Sequence, residues 1–123
     1  MRKLPLVIFL LLIWIQPLQA QTPYYQGKTV TIVVGTLAGD LYDLYARAIA
    51  LYIGKYIPGN PNVIVQNMPG AGHMIAANYV YNIAKPDGLT FAAISASLYF
   101  EQRIGRAEVK FDWTKYTWIG NAT

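Results

Sequence analysis

A chain of 123 residues, 54% hydrophobic and 13% charged, has apolar content for one buried core and little room for two domains, and its three Trp, ten Tyr and four Phe exclude global disorder. The formal net charge is +4, but no run of Lys or Arg occurs after residue 20, which excludes the clustered basic face of a nucleic-acid binder. Cysteine is absent, so disulfides, thiolate metal sites and a Cys nucleophile are excluded.

Arg2 and Lys3 precede an apolar run over residues 4–15, and Ala20 closes the segment. This order predicts a secretory signal peptide over residues 1–20, because the run is shorter than the roughly 20 apolar residues a membrane-spanning helix needs. Residues 21–123 are then a single exported domain without Arg2 and Lys3. Export into a periplasm suits a cysteine-free chain that must rely on packing.

Thr29-Val30-Thr31-Ile32-Val33-Val34 lies between Gly27 and Gly35; its β-branched, near-continuous apolarity predicts a central strand of a parallel sheet. Residues 41–57 place apolar side chains at 41, 44, 45, 48, 49, 52 and 53, the spacing of one helix face. Asp43, Arg47 and Lys55 form the opposite, polar stripe, and the first two are four apart and able to pair. Pro58-Gly59-Asn60-Pro61 ends that helix.

A second cycle follows, with a strand over residues 62–67, a loop Pro69-Gly70-Ala71-Gly72 and a helix over about 73–84. After the turn Lys85-Pro86-Asp87-Gly88 come a strand over 89–94, the loop Ser95-Ala96-Ser97 and a short helix near 98–104. One further turn is expected at residues 112–116 and a fourth strand at 117–120. Alternating strands and helices define an α/β fold with an open, mostly parallel sheet and helical crossovers.

In such sheets ligands bind outside the carboxyl ends of the strands. Residues 35–40, 67–73 and 95–97 leave those ends, and the first two loops are glycine-rich and precede helices. Free N–H groups at helix starts, approached closely over glycine, make a cradle for a carboxylate or phosphate; the same loops also serve a parallel sheet simply as corners. Asp40 is placed to cap the first helix, with Asp43 near its positive end, or to touch a ligand amine or hydroxyl. His73, the one histidine, reads as a solvated or capping residue. Neither loop fits G-x-G-x-x-G or a P-loop, Ser95 and Ser97 lack a nucleophile elbow, and the carboxylate and histidine count is too low for a hydrolytic metal centre. No metal, cofactor or catalytic residue is expected.

Tyr24-Tyr25-Gln26-Gly27-Lys28-Thr29-Val30, Ala38-Gly39 with Asp43 and Ala46-Arg47, Gln66-Asn67-Met68-Pro69-Gly70-Ala71-Gly72, and Pro86-Asp87-Gly88 together resemble the periplasmic solute-binding receptors of tripartite tricarboxylate transporters. The resemblance covers residues 24–121 and implies a two-lobed, hinged binding protein, of which this chain corresponds to the N-terminal part of the first lobe, without the second lobe or the hinge. It also implies capture of a small organic acid or amino-acid-like ligand between the two glycine-rich loops and delivery to membrane permease subunits, with no catalysis. Gly39, Asp40, Asp43, Gly70, Ala71, Gly72, His73, Ser95 and Ser97 are the expected ligand-side residues. Asp40 and His73 stand where the family pattern has glycine. Two alternatives share the same edge: a ligand-sensing receptor that signals to a membrane sensor, and an exported hydrolase-like α/β enzyme.

Overall fold

The computed structural model describes residues 21–121; the leader expected at residues 1–20 lies outside them. Three strands, β1 (Thr29–Val34), β2 (Asn62–Asn67) and β3 (Thr90–Ala93), form one sheet in the order β2-β1-β3. Both pairings are parallel, with Ile32 opposite Val65 on one side and Phe91 on the other. The run predicted to be central is therefore the central strand, and the open parallel α/β fold stands as expected.

Helix α1 (Leu41–Ile53) connects β1 to β2 and runs into a single 3-10 turn at Gly54–Tyr56; α2 (Met74–Asn82) connects β2 to β3, and α3 (Leu98–Arg103) follows β3. Side chains alternate across a strand, and the two faces carry separate cores. Ile32 and Val34 pack with Ala46 of α1, flanked by Tyr42, Ala50, Val63, Val65, Phe91 and Ala93. On the other side Met74 and Ala77 of α2 pack with Leu98 and Phe111, flanked by Tyr81, Val109, Trp113 and Tyr116. Tyr116 donates from its hydroxyl to the Ala77 carbonyl at 2.8 Å, and burial pushes that phenol well above its ordinary pKa.

Helix α1 is rotated relative to the face its apolar periodicity predicts. Leu41, Leu44, Tyr45, Ile49 and Tyr52 are exposed, while Tyr42, Ala46 and Ala50, one turn apart in succession, lie on the sheet. Asp43, expected on the solvent stripe, is buried. Small residues let the helix backbone approach the strands closely, and a polar contact described below fixes the rotation.

At the amino edge of the sheet the Tyr24 hydroxyl donates to the Asp87 carbonyl at 2.7 Å and the Tyr25 hydroxyl to the Gly88 carbonyl at 3.3 Å. Lys28 Nζ sits 3.1 Å from the Tyr24 ring centroid, a cation–π contact. Gly59, at φ +98°, lies against this segment so closely that a Cβ there would stand 2.5 Å from the Gln26 nitrogen.

The turn expected at residues 112–116 is a 3-10 turn, Trp113–Lys115, whose Asp112 carboxylate accepts from the Thr114 amide at 3.0 Å. The fourth strand expected at residues 117–120 is not formed. Trp118 instead turns onto Trp113, with ring centroids 4.4 Å apart and the planes tilted by 43°.

Leu98 is fully buried and Leu37 is 69% exposed. Leu98→Ala in the full-length protein is expected to lower unfolding free energy by about 2–5 kcal/mol, and Leu37→Ala by no more than about 0.5 kcal/mol, as read by urea denaturation.

Candidate functional site

Strand β1 ends at Val34, and the chain turns outward over Gly35 into residues 36–40 before α1 begins. The Asp40 carboxylate accepts from the Tyr42 amide at 3.4 Å, the N-cap geometry that leaves its own backbone extended. Gly39, at φ +88°, donates its amide to Asp43 Oδ2 at 2.8 Å.

Asp43 is 1% exposed, and a carboxylate so placed requires partners for its charge. Arg47 Nε donates to Oδ2 at 2.8 Å and Asn67 Nδ2 to Oδ1 at 2.9 Å. Arg47 Nη2 in turn donates to Asn67 Oδ1 at 3.1 Å, closing a ring of three side chains, and Asn67 Nδ2 also reaches the Thr36 carbonyl at 3.1 Å. The ring ties the loop after β1, the first turns of α1 and the last residue of β2 into one unit. Its hydrogen bonds, first that from Arg47 and then those from Gly39 and Asn67, hold the Asp43 carboxyl well below the usual carboxylate range.

The second loop is built from left-handed backbone. Gly70, Ala71, Gly72 and His73 have φ of +138°, +45°, +59° and +72°, four in succession. Ala71 and His73 adopt this region at a cost glycine does not bear, and such strain gathers where a loop serves a site. Among the described residues the amides of Gly70, Ala71, Gly72 and His73 meet no acceptor, and neither do those of Thr36, Leu37 and Ala38. These N–H groups belong to the loops that leave the carboxyl ends of β1 and β2, the edge at which open parallel sheets hold their ligands.

His73 departs from the solvated or capping role expected of it. It makes no side-chain cap, is only 9% exposed, and packs edge-on against Tyr42 with ring centroids 4.5 Å apart. A Cβ on Gly35 would stand 2.4 Å from His73 Nδ1; the absent side chain of Gly35 is the space the imidazole fills. His73 thus joins the second loop to the first. Its Nδ1 and the nearby Thr36 Oγ1 are buried without a partner. Burial lowers the imidazole pKa, and the Asp40 charge partly opposes this.

At the end of β3, Ser95 Oγ and Ser97 Oγ are 2.8 Å apart, and the Ser97 amide donates to Ser95 Oγ at 3.2 Å. The pairing of Val34 with Ala93 sets this turn beside the loop after β1. Of the expected residues, Gly39, Asp40, Ala71, Gly72 and Ser97 are exposed, Gly70 and Ser95 are half-buried, and Asp43 and His73 are interior. Gly35, Thr36, Arg47 and Asn67 complete the arrangement; of these, Arg47 is signalled in sequence by its spacing of four from Asp43, and Asn67 by its place two residues before the Pro-Gly-Ala-Gly turn. Two open hollows border the arrangement, one of about 680 Å³ along the free side of β2 reaching Arg47 and one of about 470 Å³ beside α2 reaching Met68. The residues that could ligate a metal form no group of three or more among the described residues.

Fold and site together define a parallel α/β module whose strand ends carry two interlocked loops rich in unpaired backbone donors. No family model matches the chain. It is similar to the UPF0065 protein in gbd 5'region of Cupriavidus necator, 36% identical over 83 residues that make up 68% of this chain and 24% of that protein. A UPF0065 protein of Bordetella bronchiseptica is 37% identical over 89 residues, 72% of this chain and 25% of its own length. The chain spans about a quarter of the length of the curated relatives it matches.

Two outcomes follow from this geometry. The lowered Asp43 pKa means its contribution to stability is complete above the ordinary carboxylate range and is lost as pH falls toward the folded-state value. Urea midpoints of the full-length protein are expected to fall between about pH 5 and pH 2, and Asp43→Asn to flatten that slope. Gly35→Ala is expected to cost about 1–3 kcal/mol by overpacking, most of it recovered when His73→Gly is added. Equal costs in both backgrounds, by denaturation, would show that the two loops do not interlock.

Proposed function

We propose that the protein is an exported solute-binding receptor for a tripartite tricarboxylate transporter, to whose first lobe residues 21–123 belong, and that it captures a small carboxylate without transforming it. The observation that carries this reading is the run of amides from Gly70 to His73 without an acceptor among the described residues, in a loop at the carboxyl edge where open parallel sheets hold their ligands. Similarity to two UPF0065 proteins and the motif resemblance over residues 24–121 support it.

In this reading the two loops are one jaw of a cleft. Asp43 belongs to the frame rather than to the contact surface, since all its hydrogen bonds turn inward. Gly39, whose amide is held by Asp43, belongs to the frame as well; Gly70, Ala71 and Gly72 offer backbone N–H groups, Ser95 and Ser97 offer hydroxyls, and a second lobe closing over them excludes water and strengthens each hydrogen bond to the carboxylate. Export through a leader over residues 1–20 places the protein in the periplasm, and permease subunits are its partners in the membrane.

Calorimetry of the full-length protein against mono-, di- and tricarboxylates and amino acids tests the reading. Saturable heat with at least one small carboxylate is expected, and it should weaken at least about tenfold in Gly72→Val, where a branched side chain at φ +59° must distort the turn. Absence of heat with every acid in the panel would refute the receptor reading.

A further inference from the structure

The three loops at the carboxyl edge, residues 35–40, 67–73 and 95–97, contain no lysine or arginine. Arg47, just below them, is bound to Asp43 and Asn67, so its charge is answered within the frame. The His73 ring is buried between Gly35 and Tyr42, and burial favours its uncharged form. Asp40 is then the one side-chain charge on these loops left without a counter-ion, and it is exposed. Tyr42, whose amide donates to the Asp40 carboxylate at 3.4 Å, packs edge-on against His73, so Asp40 and the loop of residues 70–73 share one edge of the sheet.

A ligand with two or three carboxylates placed on this edge would meet Asp40 as a like charge, with no side-chain cation to offset it. A ligand with one carboxylate and one ammonium group would meet complementary charge at both ends. The buried, unpartnered Nδ1 of His73 lies in the seam against Gly35 and brings a polar atom there without adding positive charge.

We propose that this edge selects zwitterions of the amino-acid type over the matching plain acids, with Asp40 accepting the ammonium group while the amides of Gly70 to His73 hold the carboxylate. This rests on the receptor reading above and narrows its ligand class. Asp40 is the specificity-determining residue, in addition to capping α1.

The test uses matched probes that differ only by the amino group: L-glutamate against glutarate, and L-phenylalanine against 3-phenylpropionate, titrated calorimetrically into the full-length protein near neutral pH. In at least one pair the amino acid is expected to bind about tenfold or more tightly, the scale of one hydrogen bond to a charged group. Asp40→Asn retains a capping side chain and is expected to bring the ratio to about twofold or less; Asp40→Ser, which also caps, is the second variant should the first fail to fold. Plain acids that bind as well as their amino counterparts, or a preference that survives both substitutions, would overturn the inference and leave the receptor reading intact. If no member of either pair binds while another carboxylate does, the inference also fails; if no carboxylate binds at all, the receptor reading fails with it.

Discussion

A buried carboxylate governs how this module is assembled. Asp43 cannot be left unpaired in the interior, and the donors that answer it come from three places in the chain: the loop before its own helix, the next turn of that helix, and the last residue of a neighbouring strand. Meeting those donors fixes the rotation of α1 about its axis. The helix consequently lays Ala46 and Ala50 on the sheet and turns a stripe of larger apolar side chains outward. A hydrophobic count along the helix would orient it the other way.

The same ring sets the stage for the loops. With Asn67 held by Asp43 and by the Thr36 carbonyl, the start of the second loop is tethered to the first, and the left-handed turn at residues 70–73 projects from a fixed base. His73 then inserts over Gly35. Two kinds of contact join the loops, the hydrogen bonds of the Asn67 side-chain amide and the seating of His73 on Gly35. Backbone N–H groups held in this way are donors whose positions are set before any ligand arrives, which reduces the ordering cost of binding.

Much of this was legible in the chain itself. The β-branched run at Thr29–Val34 declared a central strand, Asn62–Asn67 was read with its observed limits, and the Asp43–Arg47 pair followed from a spacing of four. The α1 face was misread because periodicity measures where large apolar residues recur, and in this helix they recur on the side away from the strands. His73 was misread because composition shows only that it is alone; the hole that receives it is made by Gly35, 38 residues earlier, and no local pattern joins the two. Residues 117–120 have strand-like composition, yet they pair with no strand, and Trp118 lies against Trp113 instead.

The tyrosine pair at the amino edge gives the module a polarity. Tyr24 and Tyr25 lace the entry to β1 onto the Asp87–Gly88 turn that leads into β3, and Gly59 brings the turn before β2 under the same segment. All three strands are therefore bound together at the end where they begin. The glycine turns at the opposite rim take no part in this lacing and are held instead by Asn67 and His73.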